Sequence, residues 1–511
     1  MNFLGGHNVL VLGLGASGLA LARWCARCGA RVTVADTRVA PPQLAALQIQ
    51  IPSAAFVCSD MGPALLEGTR FDMVLKSPGL SPASVSGVVG AAQASGVACG
   101  NELSLFAYAL ADLKASVGYA PQVIGITGTN GKTTVTSLTG QLVERAGKTV
   151  AVAGNIGPTL LDTLTEKLDA QEGGQALPEV WVLELSSFQL DGVTNFEPTV
   201  ATVLNVTQDH LDWHETLGAY NAAKARVYGT NGVMLLNRDD ALVMQSTPVP
   251  VKGKAVRPWL TFGGDEPKRP GDYGIETVNG MAWLARAVEA DETIKRRKGE
   301  EVIVYIQRLM PVDALRIRGR HNATNALAAL GLAVAARCSM GPMLHGLRDY
   351  RGEPHRVESV AVIQDVEYFD DSKGTNVGAT VAALAGLGTD RKLVVILGGE
   401  GKGQDFKPLA DPVMRYVRAV VLIGRDASLI RAALQRCQSE AGVVLLDAGS
   451  MVHAVTLAAR QAQTGDAVLM SPACASFDMF DNYEHRAQVF CEAVLALADQ
   501  GSSQPDGADV A

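Results

Sequence analysis

The sequence predicts an α/β fold of three domains, each built on a mostly parallel sheet. Strand-like apolar runs alternate with Ala/Leu-rich helical patterns along the chain, as parallel strands joined by crossover helices require. Two of the runs enter glycine turns that open a helix, at 13–18 and at 128–131. A chain of 511 residues also exceeds one core, since domains of about 100–200 residues divide it into three or so. The expected divisions are 1–111, a Rossmann-like domain, 112–352, a central P-loop ATPase-type domain, and 353–511, a second Rossmann-like domain. The polar tail 501–511 is expected to be disordered.

In the first block, the strand Val9–Leu12 runs into Gly13-Leu-Gly-Ala-Ser-Gly18, and Asp36 ends the strand-like run that starts at Arg31. This is the Rossmann fingerprint in its usual context, and it places an unspecified phosphorylated nucleotide at the helix start. Taken alone, the block also permits an NAD-dependent dehydrogenase.

In the second block, the apolar run Val123–Thr127 ends in Gly128-Thr-Asn-Gly131, followed by Lys132, Thr133 and Thr134. Backbone N–H groups from Gly128 through Thr129, Asn130 and Gly131 can surround phosphate oxygens. Lys132 can reach the outer phosphates, and Thr133 can hold Mg²⁺. The positive end of the helix dipole adds to this. Ile126 stands where a strict P-loop has its first glycine.

Glu184 lies within the buried-looking run Val180–Ser187. An unpaired buried carboxylate costs several kcal/mol, so it needs a partner: Mg²⁺ if the strand neighbours the loop, otherwise an ion pair. Asp209 and His210 follow the next strand, where ligands bind in parallel sheets. The His210/His214 pair lacks the companions of a zinc site. Lys224 by itself reads as a solvated helix lysine. Asn322 and Asn325 share one helix face, to meet an adenine edge or to cap the helix. Segment 166–178 reads as a surface loop. Segment 263–317 mixes glycines, charge and short strand patterns, and its basic run Lys295–Lys298 reads as a solvated hairpin or loop.

In the third block, Asp371–Asn376, Gly398–Gly403 and Ser471–Phe480 each lie at a strand end or helix start. Their Lys373, Lys402 and Ser476 make a plausible carboxylate-binding cleft, although each loop alone is also a plain turn.

Composition bounds the partners. At 48% apolar, 19% charged and net charge −8, the chain predicts packed domains, no nucleic-acid partner and only local anion sites. The first residues lack the parts of a signal peptide, and no window reaches the roughly 18 apolar residues of a membrane span. Eight cysteines are scattered through apolar segments. Cys25 and Cys28, a C-x-x-C in a helix-like stretch, read as buried small hydrophobes. A reduced, cytoplasmic protein without membrane insertion is expected.

Taken together, Gly125–Thr134, Leu183–Leu190, Asn205–His210, Pro354-His-Arg356, Asp371–Asn376 and Ser471–Ser476 resemble the Mur ligase family, in order and through all three blocks. The resemblance implies an ATP-dependent amide-bond-forming ligase of peptidoglycan precursor synthesis. ATP would phosphorylate the terminal carboxylate of UDP-MurNAc-L-alanine, and the amine of D-glutamate would attack the acyl phosphate. Lys132, Glu184, His210 and Lys224 would be catalytic. Two Mg²⁺ ions would rest on Thr133, Glu184, His210 and Lys224. Lys224 would carry a CO₂-derived carbamate, an anionic oxygen ligand in place of a repelling ammonium.

ATP would meet Gly128 to Thr134, Asn322, Asn325, Arg356, Asp371 and Lys373. The UDP-sugar would meet Gly15, Ser17, Gly18, Asp36, Thr37, Arg38, Ser77, Pro78, Gly79, Asn155 and His210. D-Glutamate would meet Thr375, Lys402, Ser476, Phe477 and Tyr483. A monomer is expected. Relatives using another amino acid such as L-glutamate, and folylpolyglutamate synthase, are the nearer rivals; a non-catalytic nucleotide switch is a remoter one. Tyr483 stands where the family commonly has Phe, and Glu400 where it has Asp.

Overall fold

The computed structural model describes residues 4–253, 255–290, 303–389 and 391–502. Its strands form three sheets. The first holds β1 (Asn8–Leu12), β2 (Arg31–Asp36), β3 (Ala55–Cys58), β4 (Met73–Lys76) and β5 (Ala98–Gly100), all parallel, in the order β3-β2-β1-β4-β5. Val9 to Leu12 are wholly buried, which is why β1 reads as an unbroken apolar run.

The second sheet holds β6 (Gln122–Thr127), β7 (Val150–Gly154), β8 (Val180–Glu184), β9 (Val200–Val203), β10 (Val233–Asn237), β11 (Trp259–Phe262), β12 (Tyr273–Val278), β13 (Met281–Glu289) and β14 (Val304–Pro311). Their order is β14-β13-β12-β11-β10-β9-β6-β8-β7. The pairs are parallel from β7 to β12 and antiparallel from β12 to β14. The short strand patterns of segment 263–317 are thus strands β12 to β14, which extend the central sheet. Lys295–Lys298 lies outside the described residues.

The third sheet holds β15 (Glu358–Ile363), β16 (Val366–Asp370), β17 (Leu393–Gly398), β18 (Val417–Ile423), β19 (Val444–Asp447) and β20 (Ala467–Met470). The order is β15-β16-β20-β17-β18-β19, with β15 alone antiparallel. Threading β20 between β16 and β17 brings three strand-end loops side by side.

In the first two sheets the strand order reverses beside the first strand, between β1 and β4 and between β6 and β9. Ligand crevices of open parallel sheets form at the carboxyl ends of such strands. Both glycine turns lie at these points.

The helix Glu102–Val117 spans the expected border at 111. Its cap residue Asn101 donates to the Gln189 carbonyl at 2.8 Å, and its Phe106 meets Trp181 edge-on at 5.1 Å. It therefore packs on the second sheet while following directly from the first.

Segment 166–178 is not all loop. The helix Leu160–Glu172 takes its first part and buries Leu160, Leu161, Leu164 and Leu168 at helical spacing. Gly501 and Ser502 end the last helix, Tyr483–Ser502, and the rest of the expected disordered tail lies outside the described residues. No described helix is long and apolar enough to cross a membrane. Cys25 and Cys28 are buried, and burial pushes their thiols up to about 12 and about 11, which leaves them inert.

Candidate active site

The phosphate loop leaves β6 and enters the helix Lys132–Arg145 through Gly131, whose φ is +83°. A Cβ there would also lie 2.9 Å from Asn325 Oδ1, so glycine is required on two counts. Lys132 Nζ folds back to donate to the carbonyls of Gly128 at 2.9 Å and Thr129 at 2.8 Å. The segment after β9 braces the loop. Thr129 N donates to Asn205 O at 2.9 Å, Asn130 N to Asn205 Oδ1 at 2.8 Å, and Asn205 Nδ2 to Asn130 O at 3.0 Å. The cradle is thus held by protein bonds of its own, a preorganised anion site.

Three expected catalytic groups gather around it. β8 lies next to β6, so Glu184 ends beside the loop. Glu184 is 4% exposed, and Asn155 Nδ2 donates to its Oε1 at 3.0 Å. Lys224 is 1% exposed, which overturns the solvated-lysine reading. Its Nζ donates to the Gly128 carbonyl at 2.8 Å and lies 4.4 Å from the Tyr220 ring centre. Two lysine Nζ atoms therefore converge on one carbonyl oxygen. Burial, and then the Lys132 charge, hold the Lys224 amine well below the usual lysine range. Desolvation likewise lowers the pKa of Lys132.

His210 sits in the left-handed region at φ 52°, with Phe188 edge-on at 4.8 Å and Asp209 Oδ2 3.6 Å from Nε2. Burial lowers its pKa, which keeps the imidazole neutral and able to coordinate. His214 is buried elsewhere and its Nε2 lies 2.9 Å from Ser187 Oγ, so it does not join His210 as a zinc pair.

Two cavities lie between the second and third domains, the first of them against the loop. One, of about 230 Å³, is lined by Asn130, Gly131, Asn322, Asn325, Arg356, Asp371 and Lys373 among others. Asn322 Nδ2 donates to the Arg318 carbonyl at 2.8 Å and Asn325 Nδ2 to Asn322 Oδ1 at 3.2 Å. Asn322 thus serves the helix start while both amides border the cleft. Arg356 Nη2 donates to Thr133 Oγ1 at 2.7 Å, across from the third domain. Burial pushes the Asp371 carboxyl up to about 7, while Ser471 Oγ donates to it at 2.6 Å.

The second cavity, of about 770 Å³, takes Thr375, Lys402, Ser476, Phe477 and Tyr483 from the third domain, with Asp209 and His210 opposite. These five come from the loops after β16, β17 and β20 and the start of the last helix. Lys373 Nζ lies 3.5 Å from the Tyr483 ring centre, so one contact spans the two cavities. Burial and then Arg356 bring Lys373 down to about 8. Glu400 is engaged by Arg425 at 3.1 Å.

Sequence reading missed Arg486. Wholly buried, it donates to the carbonyls of Cys474 at 3.1 Å and Ser372 at 2.8 Å, stapling two of the three loops together. An arginine in a helical pattern carries no signal of such burial.

The first-domain residues line neither cavity. Gly18 packs against Gly13, whose carbonyl oxygen a Cβ would meet at 1.9 Å, whereas Gly15 faces open space. Ser17 lies between them on the helix start, and Ser77, Pro78 and Gly79 follow β4 across the switch point. Asp36 accepts from Leu14 N at 2.7 Å and from Arg38 Nε and Nη2 at 2.8 Å each. The Arg38 guanidinium holds that carboxyl well below the usual range. Both carboxylate oxygens are thus engaged by donors of the same domain. Exposed Thr37 lies between the two partners.

The chain matches three family models: "Mur ligase MurD-like, N-terminal domain" over 7–100, "Mur ligase middle domain" over 126–333, and "Mur ligase, glutamate ligase domain" over 355–474. Among its relatives is the UDP-N-acetylmuramoylalanine–D-glutamate ligase of Albidiferax ferrireducens, 66% identical over 99% of this chain and 100% of that one. The protein of the same name from Ralstonia nicotianae is 56% identical over 96% and 98%. The MurF ligase of Thermotoga maritima, solved with ADP, shares the fold at TM-score 0.56 and 16% identity, covering 97% of each chain. With models matched in all three domains and full-length relatives this similar, the chain belongs to the Mur ligase family, among its UDP-N-acetylmuramoylalanine–D-glutamate ligases.

Proposed function

We propose that this protein joins D-glutamate to UDP-MurNAc-L-alanine at the expense of ATP, in peptidoglycan precursor synthesis. One observation carries the reading: a cleft against the phosphate loop and a lysine- and serine-lined cavity both lie between the second and third domains, with half-buried Lys132 and buried Lys224 and Glu184 at the loop. That layout suits a reaction in which two anions must first meet and an amine must then arrive.

ATP lies along Gly128 to Thr134, with Asn322 and Asn325 at its base and Arg356, Asp371 and Lys373 reaching over from the third domain. The UDP end of the sugar nucleotide lies on Gly15, Ser17, Gly18, Asp36 to Arg38 and Ser77 to Gly79, and Asn155 and His210 meet its muramoyl-alanine end. The terminal carboxylate attacks the γ-phosphorus and ADP leaves. Lys132 and Lys373 offset the charge of carboxylate and phosphoryl group as they approach. The amine of D-glutamate then attacks the acyl carbon, phosphate leaves and the amine gives up a proton. Thr375, Lys402, Ser476, Phe477 and Tyr483 hold D-glutamate, with Lys402 and Ser476 as donors to its carboxylates.

The donors Thr133, Glu184 and His210 fit divalent cations. Glu184 is buried with one oxygen engaged by Asn155, and the imidazole is kept neutral. Two Mg²⁺ ions held by them and by modified Lys224 would neutralise the phosphates. A buried lysine amine held below its usual range is the neutral nucleophile that CO₂ requires, which supports a carbamate on Lys224. The same reading divides the chain into three domains, with the first border before the helix Glu102–Val117 and the second after 352, and makes the enzyme a cytoplasmic monomer.

The test is phosphate release from ATP with UDP-MurNAc-L-alanine and Mg²⁺, comparing D-glutamate, L-glutamate and no amino acid. Release that needs the sugar nucleotide and D-glutamate, with a product one glutamyl residue heavier, is the expected result. Release with L-glutamate instead moves the substrate assignment, and release with neither overturns the ligase reading.

A further inference from the structure

The loop Asp371–Asn376 carries Lys373 into the nucleotide cleft and Thr375 into the amino-acid cavity. Its registration against the phosphate loop, in another domain, decides whether both face the reacting atoms together. One residue is built to set that register. Asn376, buried at the start of the helix Val377–Leu387, exchanges two amide bonds with the side chain of Asn130. Asn376 Nδ2 donates to Asn130 Oδ1 at 3.0 Å, and Asn130 Nδ2 donates to Asn376 Oδ1 at 3.3 Å. The backbone of Asn130 is in turn held by Asn205, as described above. Three asparagines thus run from the end of β9 through the phosphate loop to the third domain.

Two further features fit a seat made for this contact. A Cβ on Gly378 would lie 2.8 Å from Thr207 Oγ1 and 3.3 Å from Asn130 Nδ2, so the helix start approaches the second domain as closely as glycine allows. The next backbone N–H, of Val377, donates to Gln404 Oε1 at 3.0 Å, and Gln404 lines the amino-acid cavity beside Lys402. The helix start is therefore tied to the phosphate loop on one side and to the amino-acid loops on the other.

We propose that Asn376 is a positioning residue that registers Lys373 and Thr375 on the phosphate loop, so that the amino-acid site is completed only when the third domain is clasped to Asn130. The inference rests on the ligase reading above. It does not place Asn376 in contact with a substrate.

The variant Asn376→Ser separates the clasp from helix capping. Serine accepts from the Ala379 N–H as the Asn376 side chain does, at 2.9 Å here, but cannot exchange amide bonds with Asn130. The expected result is a fall in kcat/KM for D-glutamate of about 10- to 100-fold, since loss of register of about an ångström costs that much. The KM for the UDP-sugar and the melting temperature should stay as in the unaltered protein. Hydrogen exchange should quicken at 128–131 and 373–376. Asn130→Ser combined with Asn376→Ser should be no worse than the poorer single variant, because both remove the same bonds.

Unchanged kinetics and exchange in Asn376→Ser would overturn the clasp. So would a general loss, with the melting temperature down and all three substrate KM values raised together. If the unaltered protein itself fails to turn over with D-glutamate, the ligase reading falls, and exchange at the two loops alone judges the clasp: equal rates in protein and variant sink it.

Discussion

The molecule contains two glycine turns at the switch points of parallel sheets, and they are equipped for different work. At Gly13–Gly18 the glycines serve geometry: Gly18 lets the helix approach Gly13, and Gly15 leaves its backbone open. The acidic residue beside that turn is neutralised by its own Arg38. At Gly128–Gly131 the turn is surrounded by groups from elsewhere in the chain: Lys224, Glu184 from β8, and Arg356 from the third domain. On the proposed function, the first turn holds a nucleotide and the second changes one. A glycine turn therefore predicts a phosphate, and only the titratable groups gathered around it predict chemistry.

Removing a gathered group should break the contrast most sharply. Lys224→Ala should lower kcat by about 10²- to 10³-fold, the usual loss of a preorganised electrostatic group. Added short-chain carboxylates should restore part of it, measured as D-glutamate-dependent phosphate release. Absence of rescue would remove the carbamate and leave the ligase in place.

A smaller effect concerns pH. Lys373 titrates at about 8, below a free lysine, so below pH 8 it is charged and above it neutral. If its charge offsets the transferring phosphoryl group, kcat/KM for ATP should fall as pH rises through about 8. Lys373→Arg, whose guanidinium stays charged, should shift that limb upward. An unmoved limb assigns it to another group.

The smallest effect is expected at the first turn. Gly18→Ala should cost about 1–3 kcal/mol of stability, because the added methyl meets the Gly13 carbonyl. Gly15→Ala should leave the melting temperature nearly unchanged and raise the KM for the UDP-sugar with kcat intact. A loss of kcat in Gly15→Ala would blur the division between the two turns.

Much of this was legible in the sequence where the signal is local. β1, β8 and β17 are buried on both faces and so read as apolar runs, and both glycine turns follow such runs directly. What was not legible depends on distant parts of the chain. Lys224 lies in a helical pattern that does not reveal the loop carbonyl above it. Arg486 and Asn376 act on loops more than a hundred residues away. The helix Leu160–Glu172 reads partly as loop because its charged face, with Glu166, Lys167, Asp169 and Glu172, outweighs four leucines at helical spacing. The strands β12 to β14 mix charge and apolar residues because they extend the edge of the sheet, where one face is wet. The three adjacent loops of the third domain follow from β20 entering between β16 and β17, a non-local pairing that no short motif encodes.

The most direct test of the second turn as a place of phosphoryl transfer uses UDP-MurNAc-L-alanine with ¹⁸O in its terminal carboxylate. The protein, ATP, Mg²⁺ and D-glutamate are added, and the released phosphate is analysed by mass. The account predicts one labelled oxygen in each phosphate, carried there through the acyl phosphate. Unlabelled phosphate formed alongside the glutamylated product would contradict it.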